Sequence, residues 1–436
     1  MRMTTRQYLV ASSICFISLL LFYGITARGK LQASDEAAVF ASGVSLATHG
    51  HLAIDDLQWL QDHVNIGERG PDGHLYTKYF PGNIFGVALI YKLTARPNDQ
   101  PYVWARELAS SATGASWALC VNALWGAIGM TSLLFLLKRY FDWRTAIATV
   151  LLIGICSDWW YQSRGLFSEV GAGAFLITGL CLMAYDKPYA SSAALALSIL
   201  FRPTNILALP VWAVSAWRKP RAAIGSAIIV IAAGAFLCWF NYIRFGSILN
   251  FGYASERFGG PFFKNLEGVL FSPGRSPFVY SPILVLAIPG TWLLLRKQPI
   301  LALICLVVIA AYVFTVARLF NWGGGTSWGA RLITPTVPLF GVLLAPTVDY
   351  IWKNKLLAAA VLLLGFAGFS VQMLALLRDP MRVMMEHVAT GEIDNQETLY
   401  TLRNSWLALQ IRSMPSWQPC DLDASTLRAW FADCRQ

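Results

Sequence analysis

Charge is what this sequence has least of. Lys and Arg number 34 and Asp and Glu 24, together 13% of 436 residues, against roughly 25% in an ordinary soluble domain. A soluble chain of this size needs more polar surface than that, so the shortage excludes a disordered, fibrous or ordinary globular protein. Metal-ligand spacing is also missing: the five His are scattered and no Cys/His cluster occurs. No Asn-x-Ser/Thr sequon is present, which favours a bacterial envelope over a secretory pathway. There is no low-complexity stretch and no internal repeat of the transporter kind. What remains is apolar. Hydrophobic residues make up 56% of the chain, with 17 Trp, 16 Tyr and 25 Phe, and the mean hydropathy is +0.51. These values describe an integral membrane protein.

A spanning helix needs about 20 mostly apolar residues. Eleven candidates are present, at about 8–25, 114–137, 145–161, 166–185, 190–201, 204–217, 222–241, 278–295, 299–317, 332–351 and 356–377. The pair within 190–217 is either two short helices broken at Phe201-Arg202-Pro203 or one kinked helix, because proline removes a backbone donor and disfavours helix just before it. The stretch 80–95 is apolar enough to dip into the membrane. Alternating the spans from a cytoplasmic N-terminus puts 13 basic residues into short inner segments, from Arg2 and Arg6 to Lys353 and Lys355, opposed there only by Asp142 and Asp186. This is a positive-inside pattern. It also accounts for the net charge of +10 without nucleic acid, since the basic residues sit in short groups between apolar runs. The first run reads as an uncleaved span, because Ile25-Thr26-Ala27 is a mediocre cleavage site for a signal peptide.

Three long segments then face outward: 26–113, 242–277 and the tail 378–436. The first and the last hold 17 of the 24 acids. The expected organisation is a transmembrane catalytic domain over 1–377, with the first outward loop at 26–113 and a small outward tail. Cys15, Cys120, Cys156, Cys181, Cys238 and Cys305 fall in apolar spans, where a thiol behaves as a small hydrophobe. Cys420 and Cys434 stand in the tail, where an oxidising compartment allows a bridge.

Several outward constellations can carry chemistry. Ser34-Asp35-Glu36 follows the first span. Ser34 suits a helix cap, and acids in a first turn are favourable with the helix dipole. They also stand where a general base would meet a lipid-borne substrate. Val39, Phe40, Gly43, Val44, Leu46 and Ala47 form a stripe at helical spacing, predicting an amphipathic helix on the membrane surface. Lys78 lies among aromatics in Leu75-Tyr76-Thr77-Lys78-Tyr79-Phe80-Pro81-Gly82, a pattern that also anchors proteins at membrane interfaces. Arg164, Arg202, Arg244, Arg275, Arg318 and Arg331 stand at outer ends of spans. They either snorkel and pair with local acids, Asp158 and Glu169 being near Arg164, or converge on an anionic lipid head. Arg202 interrupts an apolar run with no acid nearby in sequence, which marks a functional candidate. The run Asn321-Trp322-Gly323-Gly324-Gly325-Thr326-Ser327-Trp328-Gly329-Ala330-Arg331 offers backbone amides to an anion and two Trp faces to a sugar ring, or is a flexible loop in an aromatic belt. The run Gly268-Val269-Leu270-Phe271-Ser272-Pro273-Gly274-Arg275-Ser276-Pro277-Phe278-Val279-Tyr280-Ser281-Pro282, with three prolines, makes a rigid, non-helical entry to the next span, which at membrane depth must be buried or line a cavity.

Taken in order, Asp35-Glu36, Lys78-Tyr79-Phe80-Pro81-Gly82, Phe201-Arg202-Pro203, Leu270-Phe271-Ser272-Pro273-Gly274-Arg275 and Trp328-Gly329-Ala330-Arg331-Leu332 resemble the GT-C superfamily of membrane glycosyltransferases. The pattern is most similar to bacterial relatives of protein O-mannosyltransferases and of lipid A aminoarabinose transferases. The resemblance covers residues 1 to about 350. It implies an all-α polytopic fold in a bacterial inner membrane, with the site and the C-terminus on the periplasmic face. It implies a sugar donor carried on a polyprenyl phosphate, with transfer by inversion. By analogy Asp35 is the general base and Glu36 assists or orients it. Lys78, Arg202, Arg331 and Arg275 would bind the donor phosphate, with Tyr79, Glu169 and Trp328 as secondary candidates. Some family members use a divalent metal and many do not. The sugar, the acceptor and the oligomeric state stay open. Two other readings share the topology. One is a transporter or flippase of a lipid-linked saccharide, which would place ionisable residues near the bilayer midplane. The other is a polymerase or ligase of surface glycans.

One expectation rests on topology alone: Cys420 and Cys434 are paired. Thiol labelling of the unfolded chain should leave both unmodified until a reductant is added; a tail that reacts fully without reduction refutes the bridge.

Overall fold

In the bilayer every backbone polar group must be satisfied within the protein, so apolar runs become helices. The computed structural model describes residues 5–96, 117–210, 212, 220–253, 258–325, 327–389, 391 and 393–431. Among the described residues five helices are long and apolar enough to cross a membrane: Val121–Tyr140, Ala222–Phe245, Pro299–Ala317, Arg331–Ile351 and Lys355–Leu377. Shorter apolar helices run over Val10–Ile25, Trp143–Ile155, Ser168–Ala184 and Pro188–Phe201.

Three expected spans are interrupted. The run 145–161 breaks after Ile155, where Ser157 caps a separate short helix, Asp158–Ser163, by accepting from the Trp159 amide. The run 278–295 is a turn at Pro277–Tyr280, a 3-10 segment at Pro282–Leu286 and a helix at Ala287–Lys297. Pro277 and Pro282 each start a new element, as a residue with no N–H to donate does. The run 190–217 breaks at Arg202-Pro203 into the helix Pro188–Phe201 and a 3-10 turn, Pro203–Ala208. Part of its second half, residues 211 and 213–217, lies outside the described residues, as do Arg2, 97–116, 218–219 and Cys434. Cys420 is disulfide-bonded, while the six cysteines in apolar runs are free.

Burial sorts the helices. Arg331–Ile351 is the central one, with 89% of its apolar window buried, and Ala222–Phe245 is peripheral, with 17%. Ile224, Ile228, Ile231, Trp239 and Tyr242 form an exposed apolar stripe on the peripheral helix, the face a bilayer would cover. Ser168–Ala184 packs between Val121–Tyr140 and Pro188–Phe201. Close approach there requires glycine: a Cβ on Gly171 would lie 2.1 Å from a ring carbon of Phe201, the residue before Arg202.

The first outward loop departs from the expected surface helix. Ser34–His49 is helical, but its residues from Glu36 to Val44 are all buried. The helix Pro81–Thr94 covers it, with Val87 against Gly43. That covering helix exposes Phe85, Leu89 and Leu93 at four-residue spacing, a stripe suited to the membrane surface. An antiparallel hairpin, Gly67–Arg69 with Leu75–Thr77, leads into it. The tail folds back onto the same end of the bundle. Trp417 Nε1 donates to Leu377 O at 2.7 Å and Gln410 Nε2 to Leu374 O at 2.8 Å.

Gly171→Ala should lower stability by about 1–3 kcal/mol, the usual cost of overpacking. Thermal unfolding in detergent measures this, and an unchanged midpoint contradicts the packing described.

Candidate functional site

Helix ends that are far apart in sequence meet at one end of the bundle. Asp35 is in the first turn of Ser34–His49, Glu169 in the first turn of Ser168–Ala184, Arg202 directly after Pro188–Phe201, and Arg331 where the central span begins. Arg331 joins them. Its Nη2 lies 2.5 Å from Asp35 Oδ2 and its Nε 2.9 Å from Glu169 Oε1. Arg202 pairs with the same Glu169 oxygen. The Arg331 guanidinium also lies over the Phe167 ring, 3.7 Å from its centroid, so a cation–π contact adds to two ion pairs. Glu169 is fully buried and its Oε2 has no hydrogen-bond partner, while Asp35 keeps 26% of its side chain accessible. Within this cluster, Asp35 is therefore the carboxylate a substrate can reach.

Tyr79 and Lys78 complete the cluster from the first loop. The Tyr79 hydroxyl is hydrogen-bonded to Asp35. The Lys78 ammonium lies 5.7 Å from the centroid of the Tyr79 ring and 5.2 Å from that of Tyr253. Arg244 holds this segment in place by donating to Thr77 O and, at 3.1 Å, to Tyr79 O. Burial alone would raise the Asp35 pKa. Arg331, the Tyr79 hydroxyl and Lys78 outweigh it and hold the carboxyl below its ordinary value. Burial and then the Asp35 charge push Tyr79 well above the usual phenol range, so it stays a donor. Two carboxylates, Asp35 and Glu169, and three cations, Arg331, Arg202 and Lys78, make up the cluster.

Other expected site residues stand elsewhere. Glu36 points away from Asp35. It pairs with Arg28 at 3.1 Å and accepts from the Gln32 and Leu166 amides at 2.9 and 2.8 Å, so it can orient the loop but not touch a substrate. Arg275 is engaged by loop carbonyls, Gly325 O at 2.7 Å and Ser327 O, and stacks over Trp406. It props the glycine-rich run that leads to Arg331 and does not join the cluster. Trp328 is fully buried against Tyr280 and Tyr161 and presents no face to a sugar. In the described part of the glycine run, carbonyl oxygens face the arginines; Gly324 O takes Arg331 Nη1 at 3.4 Å. Gly329, at φ +70, brings the chain against Asp158, where a Cβ would lie 2.5 Å from Oδ1.

Sequence reasoning missed a second charge network. Arg164 pairs with Asp423 of the tail and with neither Asp158 nor Glu169. Arg28, Lys30 and Asp379 join it. The available signal was basic Arg28 and Lys30 just outside the first span, against the positive-inside rule.

Among the described residues no group of three or more His, Cys, Asp or Glu could hold a metal ion. Asp35 and Glu169 are both committed to Arg331, so the donor set fits ion pairing and not a metal centre.

The fold and the cluster define the class: a multi-pass membrane protein built as a helix bundle, with a charged cluster at one end. Among solved structures, the chain is similar to ArnT from Cupriavidus metallidurans. With the form bound to undecaprenyl phosphate it shares 15% identity at a TM-score of 0.55, covering 98% of this chain and 77% of that one. With the apo form the values are 16%, 0.56, 96% and 77%. At such identity the likeness shows the fold. No protein-family model and no curated protein sequence matches the chain.

Because the Asp35 pKa is lowered, its charge persists below the ordinary value and is lost only as pH falls through the lowered one. In Arg331→Gln the largest opposing charge is gone, so Asp35 should titrate at a higher pH. Infrared carboxylate bands, assigned with Asp35→Asn, measure this; an unshifted titration contradicts the pairing.

Proposed function

We propose that the chain is an inverting glycosyltransferase that moves a sugar from a polyprenyl-phosphate donor to an acceptor hydroxyl at the outer face of a bacterial inner membrane. The observation that carries this reading is the meeting of Asp35, Tyr79, Lys78, Glu169, Arg202 and Arg331 at one end of an apolar bundle. The shared fold with ArnT, solved with undecaprenyl phosphate bound, supports the choice of lipid carrier.

The chemistry follows from the charges. Arg331, Lys78 and Arg202 receive the donor phosphate. The donor phosphate is a diester with one negative charge shared over two free oxygens, and it competes with Asp35 for Arg331 Nη2, the most direct contact between the two residues. Its arrival frees the Asp35 carboxylate to take a proton from the acceptor hydroxyl. That oxygen attacks the anomeric carbon from the side opposite the phosphate, the sugar–phosphate bond breaks, and the configuration inverts. The three cations stabilise the leaving phosphate as its charge builds. Glu169 holds Arg331 and Arg202 at a fixed spacing without reaching the substrate. The ionisable groups gather at one end and not at the bilayer midplane, which favours transfer over transport. The transmembrane part over 1–377 would carry the whole reaction.

Purified protein in nanodiscs should consume a radiolabelled polyprenyl-phosphate sugar. Asp35→Asn should turn over about 10²–10⁴-fold more slowly, the usual contribution of a general base, with normal folding. Arg202→Ala should raise the donor requirement. Wild-type turnover in Asp35→Asn refutes the base assignment.

A further inference from the structure

The second charge network is balanced and mostly internal, with Lys30 one-third exposed. Arg28 and Lys30 follow the first helix, and Arg164 heads the segment leading to Glu169. Opposite them stand Glu36, in the same turn as Asp35, and Asp379 and Asp423 from the tail. Asp423 is the common partner. Its Oδ2 lies 3.3 Å from Arg164 Nη2 and 3.8 Å from Arg28 Nε, and its Oδ1 3.2 Å from Lys30 Nζ. The Gln32 amide donates to both oxygens, at 3.1 and 3.2 Å. The Asp423 carbonyl also accepts from Arg164, and its N–H donates to Leu376 O at 2.8 Å. The side chains of Arg28, Arg164 and Asp423 are 1% exposed or less.

Two short chains run from this carboxylate to the site. In one, Arg28 reaches Glu36 at 3.1 Å, one residue from Asp35. In the other, Arg164 begins the segment whose Leu166 amide donates to Glu36 at 2.8 Å, three residues before Glu169. The Arg28 amide donates to Arg164 O at 3.3 Å, tying the two together. The fit is close, since a Cβ on Gly165 would lie 2.6 Å from Glu36 Oε1. Arg28 Nε and Nη2 make no hydrogen bond, so charge attraction to Asp423 is what draws this side of the guanidinium. Without that carboxylate, three cations, two of them buried, face two anions, and the like charges of Arg28 and Arg164 repel where water screens them little.

We infer that Asp423 is a positioning residue: the C-terminal tail, through this one carboxylate, fixes the two segments that carry Asp35 and Glu169. The inference rests on reading those residues as the transfer site. It gives the tail a role within the reaction centre formed by the bundle.

The test compares Asp423→Asn, Asp423→Glu and the charge-balanced double variant Asp423→Asn/Arg164→Gln, in the full chain in nanodiscs. Amide hydrogen exchange reads the segments 28–36 and 164–167, and kinetics with a polyprenyl-phosphate sugar read kcat and KM separately. In Asp423→Asn exchange should quicken at least ~10-fold in both segments and stay unchanged in Pro299–Ala317. Its kcat should fall about 10²-fold, the scale of an ångström of misplacement, with KM held. Asp423→Glu and the double variant should each recover part of both. Unchanged exchange in the two segments overturns the inference, and so does a raised KM with kcat intact. If Asp423→Asn does not fold, Asp423→Glu and Lys30→Met, whose ammonium is one-third exposed, face the same criteria at smaller amplitude. A wild-type protein without turnover refutes the transferase reading, while the exchange data still decide the role of Asp423.

Discussion

Arg331 is the constraint around which the outer end is arranged. A guanidinium at the start of the most buried helix must be matched by negative charge, because a buried ion left without its partner costs several kcal/mol. The matching groups come from 296 and 162 residues away in the chain, as Asp35 and Glu169. Meeting that demand brings the first turn of the outer helix and the start of Ser168–Ala184 together. Arg202 then shares Glu169, and Phe167 supplies a flat surface beneath the guanidinium. Tyr79 and Lys78 fill the remaining side of Asp35. The ion pairs of Arg331 and Arg202 with Asp35 and Glu169 hold the empty arrangement together, and on the proposed function a phosphate takes the place of Asp35 on Arg331.

The same rule explains why the tail is attached where it is. Arg28 and Arg164 are as deeply buried as the core tryptophans, and among the described residues of the bundle Glu36 is the one carboxylate paired with them. Asp379 and Asp423 supply the rest, so the outer end of the bundle is electrostatically complete only with the tail in place. Arg244 and Arg275 follow the same logic with neutral partners, each fixing a stretch of backbone by its carbonyls. Arginine at the outer ends of spans thus divides by partner. Those facing carboxylates beside an accessible group form the site, and those facing carbonyls hold the loops that shape it.

Much of the architecture is legible in the sequence because burial in a bilayer leaves a local mark. Apolar runs locate the helices, and the basic residues between them give an alternation that puts Asp35, Glu169, Arg202 and Arg331 at one end. The errors have local causes. Ser157 and Pro282 break runs whose composition alone suggests continuity. The stripe from Val39 to Ala47 has the spacing of a surface helix, yet it is covered, because Pro81–Thr94 packs over it with the small Gly43 at the contact. Trp328 has the composition of a sugar platform and the position of a core residue.

The sequence by itself determined that the chain lives in a membrane, where its apolar helices run and which residues put charge at the helix ends. All of these follow from composition and short-range periodicity. Only the tertiary structure decided which charges meet: that Arg331 bridges Asp35 and Glu169, that Glu36 turns away to Arg28, and that Arg164 belongs to Asp423. Ion pairs in a dry interior are selected by distance in three dimensions, and no spacing along the chain encodes a contact that closes only when separate helices pack.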